Sequence, residues 1–221
     1  MPKEFIEKWL ILCEGPEDEA FLKQFLRARK IDGFQIEHSK GWQNFGLTLG
    51  NFKEVESFIR TVQAVIVLSD CDEGKDRQFR KVCKVIQRDS KFNVPTVPLS
   101  KSAATDGQPM VIIVMIPMDG DTGGLEGFIM KAAYSRFRVK TKLEGFINEM
   151  PTRNWKRNPQ DKARIRVLIS TTCKEDPNTP LSWLWSRKPE YHIPLTHKSL
   201  DGLAEFLKNF EDFLAEDAEA Y

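Results

Sequence analysis

Three carboxylate residues follow two apolar segments of the chain, at positions where a folded sheet would bring them together. The segment Trp9–Cys13 is followed directly by Glu14, and the segment at residues 64–68 leads to Asp70 and Asp72. If the two segments are neighbouring parallel strands, their carboxyl ends meet at one edge of the sheet. Carboxylate oxygens are the ligands that Mg²⁺ and Mn²⁺ prefer. The spacing therefore predicts a divalent-metal site at this edge.

Helix capping is the simpler explanation for acidic residues at such positions. An aspartate that follows a strand can accept hydrogen bonds from the first N–H groups of the next helix, and this applies to both Asp70 and Asp72. Capping alone would explain one such residue. Three acids at two separate strand ends favour a functional site.

Strand-like and helix-like segments alternate over residues 9–134, which is typical of a doubly wound α/β sheet. Apolar segments without polar alternation indicate strands that are buried on both faces. Strands are expected at residues 9–13, 34–37, 64–68 and 110–116, and helices at residues 17–29, 51–62, 76–88 and 125–134. The glycine-rich segment at residues 41–50 is interpreted as a loop. The predicted fold class is α/β, with a Rossmann-like core whose central, mostly parallel sheet is flanked by helices.

The remainder of the chain is predicted to be mainly helical. Helices are expected at residues 136–150 and 199–214, the latter with its apolar residues on one face. Residues 161–172 are interpreted as a helix, with a strand as the alternative. These expectations divide the chain into an α/β core at residues 1–134 and a C-terminal helical extension at residues 135–221, packed on that core.

Composition limits the classes of partner and compartment. The 33 basic and 32 acidic residues nearly cancel, so no global field directs the protein toward nucleic acid or membranes. The four cysteines form no C-x-x-C pair and have no histidine at zinc-site spacing, which argues against structural zinc. No signal peptide or membrane-spanning apolar run is evident. We expect a cytoplasmic protein without a membrane partner, and no sequence feature indicates its oligomeric state.

Short motifs around the three acids resemble the TOPRIM domain. Residues 12–22 read LCEGPEDEAFL, which is similar to that family's opening glutamate–glycine signature, and Asp70-Cys71-Asp72 is similar to its D-x-D motif. The GGLE segment at residues 123–126 resembles an element of small TOPRIM-related proteins. TOPRIM domains occur in topoisomerases, bacterial primases, recombination proteins and overcoming-lysogenization-defect (OLD) family nucleases. The resemblance covers roughly the first 130 residues.

This resemblance implies a role for each acid. Glu14 corresponds to the family's glutamate, a general acid or base in strand cleavage or a residue adjacent to the metal, while Asp70 and Asp72 correspond to the motif that holds divalent metal. Asp18 matches an acidic position of the nuclease-like members, and Glu126 is a further candidate near the metal. The implied function is cleavage of phosphodiesters, or a related phosphotransfer, in DNA or RNA with Mg²⁺ or Mn²⁺ as cofactor.

One departure from the fuller TOPRIM pattern leaves other functions open. Gly74 stands two residues after Asp72, where fuller patterns carry a third acid, so the acidic set for two metal ions is incomplete. The main alternative is a non-catalytic, TOPRIM-like interaction or regulatory module with a vestigial metal site. A less favoured alternative is a phosphatase of the haloacid-dehalogenase type, because Asp70-Cys71-Asp72 and Asp119-Gly120-Asp121-Thr122 both resemble that family's opening motif.

Two groups of basic residues are candidates for contact with nucleic-acid phosphates. Lys75 and Arg77 follow the D-x-D motif, and the segment at residues 153–158 combines basic side chains with Trp155. A solvated helix face explains the first group equally well, and an ordinary surface segment is the favoured explanation for the second.

Overall fold

A four-stranded parallel sheet forms the centre of the protein. The structure, a computed structural model, describes residues 4–103, 105, 107–120, 122–174, 176, 178–186 and 192–216. The strands are β1 (Trp9–Cys13), β2 (Phe34–His38), β3 (Ala64–Asp70) and β4 (Met110–Ile116). Their spatial order is β2-β1-β3-β4, and every neighbouring pair is parallel. The predicted α/β class and the four predicted strands are confirmed.

Helices connect these strands and continue through the C-terminal part of the chain. They are α1 (Pro16–Arg29), α2 (Phe45–Phe52), α3 (Glu56–Thr61), α4 (Lys75–Ser90), α5 (Leu125–Phe137), α6 (Lys140–Glu149), α7 (Arg157–Thr172), α8 (Trp183–Ser186), α9 (Asp201–Lys208) and α10 (Phe210–Ala215). In the described part of the chain, no helix combines the length and the apolar character needed to cross a bilayer.

The central strands are buried because helices cover both faces of the sheet. Along β3, Ile66 and Leu68 belong to the core on one face, whereas Val65 and Val67 belong to the core on the other. This period of two follows from the alternation of side chains along a strand. Helices α1 and α5 to α10 contribute to the first core, and α2, α3 and α4 contribute to the second.

The glycine-rich segment at residues 41–50 is helical, so its interpretation as a loop is wrong. A 3₁₀ turn at Trp42–Asn44 leads directly into α2. Gly46 serves close packing here, because a Cβ at this position would lie 2.0 Å from the backbone oxygen of Val85 in α4. The single helix expected at residues 51–62 is also wrong, since α2 ends at Phe52 and α3 covers only the later part.

The C-terminal segments are helical as predicted, but their helices begin and end at other residues. The helix expected at residues 161–172 is confirmed and begins earlier, at Arg157. The helix expected at residues 199–214 is divided at Asn209, a residue type that favours helix ends over helix interiors. Helix α5 ends at Phe137 and therefore continues across position 134, where the chain was divided into core and extension. The division itself stays a prediction.

Candidate functional site

The carboxyl ends of β1 and β3 are neighbours, as the strand pattern predicts. The two strands pair in parallel with Leu12 opposite Val67, so Glu14 lies beside the end of β3. Glu14 Oε1 accepts a hydrogen bond of 2.6 Å from the Ser69 hydroxyl and one of 2.9 Å from the backbone N–H of Asp70. These contacts hold the Glu14 carboxylate against the end of β3 through one of its two oxygens.

Asp70 connects the end of β3 to the beginning of α5. Its Oδ1 accepts a hydrogen bond of 3.1 Å from the N–H of Leu125, the first residue of α5. Asp70 therefore caps a helix, but not α4, which follows it in sequence and has Gly74 at its N-cap. The close approach depends on Gly124, where a Cβ would lie 2.4 Å from Asp70 Oδ2.

Asp18 and Glu126 lie in the first turns of the two helices that meet these strand ends. Asp18 Oδ2 accepts a hydrogen bond of 2.8 Å from the N–H of Gly15, the N-cap residue of α1, as the N3 acid of a capping box does; Gly15 has no side chain for the reciprocal bond. Glu126 is the second residue of α5. Negative charge is favourable at both positions because a helix N-terminus carries partial positive charge.

These acids line one cavity of about 450 Å³, which we call the acidic cleft. Five carboxyl groups and two lysines line it: Glu14, Glu17, Asp18, Asp70, Glu126, Lys40 and Lys162. Four of the residues predicted for the site, Glu14, Asp18, Asp70 and Glu126, are thus brought together; three come from α1, β3 and α5, and Glu14 directly follows β1.

Burial raises the pKa of these four carboxyl groups above their ordinary values. For Asp18, burial together with the charge of Glu14 raises the pKa to about 7. The pKa of Asp70 is raised strongly, first by burial and then by the charges of Glu14 and Asp18. For Glu14, hydrogen bonds from Ser69 and Asp70 lower the pKa but do not cancel the effect of burial. Acids that are desolvated and repel one another favour a bound cation.

The donor set of the acidic cleft fits Mg²⁺ or Mn²⁺, because it consists of carboxylate oxygens. Glu14, Asp18 and Asp70 each use one carboxylate oxygen in the hydrogen bonds above. Among the residues that the structure describes, however, no three His, Cys, Asp or Glu side chains already surround one ion-sized point. Coordination of an ion therefore requires these carboxylates to turn toward one another.

Asp72 lines a neighbouring cavity rather than the acidic cleft. This cavity of about 320 Å³, the Asp72 pocket, is lined by two carboxyl groups, three cations and a threonine: Asp72, Glu73, Arg77, Lys156, Arg157 and Thr122. The side-chain amide of Asn158 donates a hydrogen bond to Asp72 Oδ1. Asp72 remains close enough that its charge adds to the effect of burial in raising the pKa of Glu14. The structure thus brings Glu14 and Asp70 together and places Asp72 beside them.

The two basic residues predicted to steer phosphate have different environments. Lys75 Nζ donates a hydrogen bond of 3.2 Å to the backbone oxygen of Met118, and so holds the loop that follows β4. Arg77 pairs with Glu73 at 3.0 Å and lines the Asp72 pocket. Of the two, only Arg77 lines one of these cavities.

The phosphatase alternative receives little support from these positions. Asp70 lines the acidic cleft and Asp72 the adjacent pocket, so the first motif does not present both acids to one cavity. In the second motif, Asp119 is exposed and pairs with Lys131 at 3.3 Å. Asp121 lies outside the described residues.

Helix α7 supplies three polar residues to this region. The sequence interpretation did not single out Asp161 or Lys162, and it included Asn158 only in the segment at residues 153–158. Lys162 lines the acidic cleft, Asn158 contacts Asp72, and Asp161 is 4% exposed between Arg157 and Arg164. A Cβ at Gly127 of α5 would lie 2.5 Å from Asp161 Oδ2, so the two helices approach closely there. The detectable signal was the three- and four-residue spacing of these polar residues, which places them on one helix face.

A family model described as "Protein of unknown function (DUF3226)" matches residues 8–216, which is most of the chain. The chain belongs to this family. None of the curated proteins compared with the DUF3226 chain matches it.

Two solved structures of the C-terminal region of the Xanthomonas campestris pv. campestris OLD protein are similar to the DUF3226 chain. The one phased with platinum has a TM-score of 0.42 and 12% identity, and the alignment covers 97% of this chain and 98% of that one. The one phased with mercury has a TM-score of 0.38 and 12% identity, with 96% and 98% covered. Similarity at this level carries no functional inference, so the function of the DUF3226 chain rests on its own site.

Proposed function

We propose that this DUF3226 protein is a phosphodiesterase that acts on nucleic acid and depends on Mg²⁺ or Mn²⁺. The observation that carries the proposal is the acidic cleft, in which burial raises the pKa of Glu14, Asp18, Asp70 and Glu126. The folded chain holds these acids together against their mutual repulsion, and a divalent cation would offset that repulsion. Such clusters of perturbed carboxyl groups in a cavity are typical of functional sites.

The residues of the cleft provide the functions that phosphodiester cleavage requires. A divalent ion bound there would activate water and neutralise charge that develops on the phosphate. Glu14 is suited to transfer a proton, because a carboxyl group with a raised pKa is a more effective base near neutral pH. Lys40 and Lys162 line the same cavity and supply positive charge for the phosphate oxygens.

The sequence motifs agree with this assignment. Glu14 and Asp70 are the acids that correspond to the TOPRIM glutamate and to the first aspartate of its D-x-D motif, and both line the cleft. The TOPRIM resemblance therefore supports a phosphodiester substrate over a small phosphomonoester.

A non-catalytic binding module is the second candidate, and two observations favour it. Asp72 lies outside the acidic cleft, and no three potential ligands among the described residues are already arranged for an ion. Such a module would bind nucleic acid through the same surface without cleaving it.

Calorimetry with Mg²⁺ and Mn²⁺ tests the metal site. The wild type and the variant Asp70→Asn/Glu126→Gln are titrated together with Glu54→Gln, which replaces an exposed carboxylate outside both cavities. We expect the double variant to lose the binding heat and Glu54→Gln to retain it. Equal heats from all three proteins would remove the metal site and with it the proposal.

A cleavage assay separates the enzyme from the binding module. Single-stranded DNA, duplex DNA and RNA are incubated with Mg²⁺ or Mn²⁺ and with the wild type or Glu14→Gln. Cleavage that depends on Glu14 supports the phosphodiesterase. Metal binding without cleavage of any of these substrates indicates the binding module.

A further inference from the structure

We infer that the segment at residues 153–158 is a binding element for single-stranded nucleic acid, with Trp155 as a stacking platform for one unpaired base. This inference rests on the proposed function, because it names the form of nucleic acid that reaches the acidic cleft. Lys156 and Arg157 provide the contacts to the flanking phosphates; Arg157 also pairs with Asp161 at 3.3 Å through Nε, and its side chain is still 64% exposed.

Charge is the first observation. Between Glu149 and Asp161 the chain carries three cations, Arg153, Lys156 and Arg157, and no acidic residue. The whole protein has a net charge of only +1, so the excess of cations is confined to particular segments such as this one. Local positive charge of this kind attracts the phosphate backbone.

The position of Trp155 is the second observation. It lies between the 3₁₀ turn Pro151–Asn154 and the first residue of α7, and 51% of its surface is exposed. In the part of the chain that the structure describes, its ring makes no aromatic contact and lies under no cation. An indole held in solvent next to cations matches the combination by which proteins stack bases of single strands.

The connection to the acidic cleft is the third observation. Lys156 and Arg157 line the Asp72 pocket together with Arg77. Asn158 follows directly, is 7% exposed, and donates its side-chain amide to Asp72. Asp72 is two residues from Asp70, which lines the acidic cleft. A nucleic-acid strand bound along residues 153–158 therefore lies next to that cleft.

The combination favours a single strand over a duplex. The bases of a duplex are stacked on one another and do not present a free face to a surface indole, whereas an unpaired base does. Stacking depends little on base identity, so DNA and RNA strands of mixed sequence are both ligands of this element.

Binding in EDTA tests the inference without any requirement for cleavage. Fluorescence anisotropy is measured with a labelled 12-nucleotide DNA, the same sequence as RNA, and the corresponding DNA duplex. We expect Trp155→Ala to weaken single-strand binding by about 10-fold, as the loss of one base stack does, and Trp155→Phe to restore most of it. Duplex binding by Trp155→Ala should remain within about 2-fold of the wild type, because its bases are already stacked.

Two matched controls distinguish this role from general surface effects. Phe146→Ala removes another aromatic side chain, 46% exposed, from α6 and should leave single-strand binding unchanged. Lys156→Ala should reduce the salt dependence of single-strand binding by about 0.7 in logarithmic slope, whereas Lys142→Ala, an exposed lysine of α6, should not.

The outcomes separate this inference from the proposed enzyme. No single-strand binding by the wild type, or equal losses for single strand and duplex in Trp155→Ala, overturns the inference. If Trp155-dependent binding is observed but no substrate is cleaved with Mg²⁺ or Mn²⁺, the inference stands and the enzyme is rejected. If cleavage depends on Glu14 but Trp155→Ala binds and cleaves single strands normally, only the inference is rejected.

Discussion

The acidic cleft and the Asp72 pocket lie side by side but differ in charge. Five carboxyl groups and two lysines line the cleft, whereas two carboxyl groups and three cations line the pocket. The two aspartates of one D-x-D motif are divided between them. Asp70 lies among acids, where burial raises its pKa strongly, and Asp72 is exposed and accepts a hydrogen bond from Asn158.

This difference assigns different partners to the two cavities. The cleft holds buried acids that repel one another when ionised, and a divalent cation would offset that repulsion. The pocket is lined by one more cation than carboxyl groups and suits a phosphate. A nucleic-acid strand with a cation at its scissile phosphate would satisfy both cavities at once, which is why we treat them as one composite site.

The largest expected effect separates the two aspartates directly. Asp70→Asn should weaken Mn²⁺ binding by more than about 100-fold, because loss of a direct ligand exceeds the roughly 10- to 100-fold effect of an outer-shell change. Asp72→Asn should weaken it by no more than about 10-fold. Calorimetric titration with Mn²⁺ measures both, and circular dichroism establishes that each variant is folded.

The reverse order would contradict this assignment of roles. If Asp72→Asn abolished Mn²⁺ binding while Asp70→Asn retained it, the ion would belong to the Asp72 pocket. Asparagine can still accept the hydrogen bond from the N–H of Leu125, so a loss in Asp70→Asn reports the charge rather than the cap.

The sequence predicted the strands and the first acids of the acidic cleft, but not the helix that comes from the C-terminal part of the chain. The uninterrupted apolar segments identified β1, β3 and β4, and the acids at the carboxyl ends of β1 and β3 identified Glu14 and Asp70. The contact of Asn158 with Asp72 was missed, because these residues are 86 positions apart and the polar spacing along α7 does not specify which element its polar face meets.

The glycines illustrate the same limit. Gly46 belongs to a segment that was interpreted as a loop, yet it permits contact between α2 and the backbone of α4. Composition alone does not distinguish a glycine that frees the backbone from one that makes room for a neighbour. Gly124 and Gly127 are likewise recognised only once Asp70 and Asp161 are seen against them.

The close approach of α5 and α7 at Gly127 is tested by alanine substitution, with a glycine of α6 as the control. Gly127→Ala in α5 places a Cβ 2.5 Å from Asp161 Oδ2, and we expect it to lower the free energy of unfolding by about 1–3 kcal/mol. Gly145→Ala in α6, where a Cβ meets nothing within 4 Å, should raise that free energy by about 0.5–1 kcal/mol. Urea denaturation measures both changes. An increase in stability for both variants would show that Asp161 yields freely to the added carbon.

The raised pKa of Asp18 predicts the direction of a pH dependence. The folded chain holds the Asp18 proton up to pH about 7, whereas an unfolded chain releases it near pH 4, so stability from this group falls as pH rises between these values. As pH rises over this range, the free energy of unfolding of Asp18→Asn should therefore increase relative to that of the wild type by at most about 1.4 kcal/mol per pH unit. Urea denaturation from pH 4 to 8 measures the difference in the free energy of unfolding.

The control for this profile is Gly145→Ala, which changes no ionisable group and should shift the wild-type curve by a constant amount. A difference between Asp18→Asn and the wild type that stays constant or shrinks with rising pH would show that Asp18 does not hold its proton in the folded chain. Addition of Mg²⁺ at pH 8 should raise the stability of the wild type, because the ion offsets the repulsion among the ionised acids.

The smallest expected effect concerns the cation from α7. The charge of Lys162 lowers the pKa of Glu14 and Glu126 against the larger opposing effect of burial, so it competes with a metal ion for the same acids. Lys162→Gln should tighten Mg²⁺ binding by roughly 2- to 5-fold at low salt, since a single exposed charge contributes little. The effect should diminish in about 0.5 M KCl, where exposed charges are screened. Lys142→Gln should leave the Mg²⁺ affinity unchanged at both salt concentrations. Weaker Mg²⁺ binding by Lys162→Gln would mean that Lys162 orders the acids instead of competing for them.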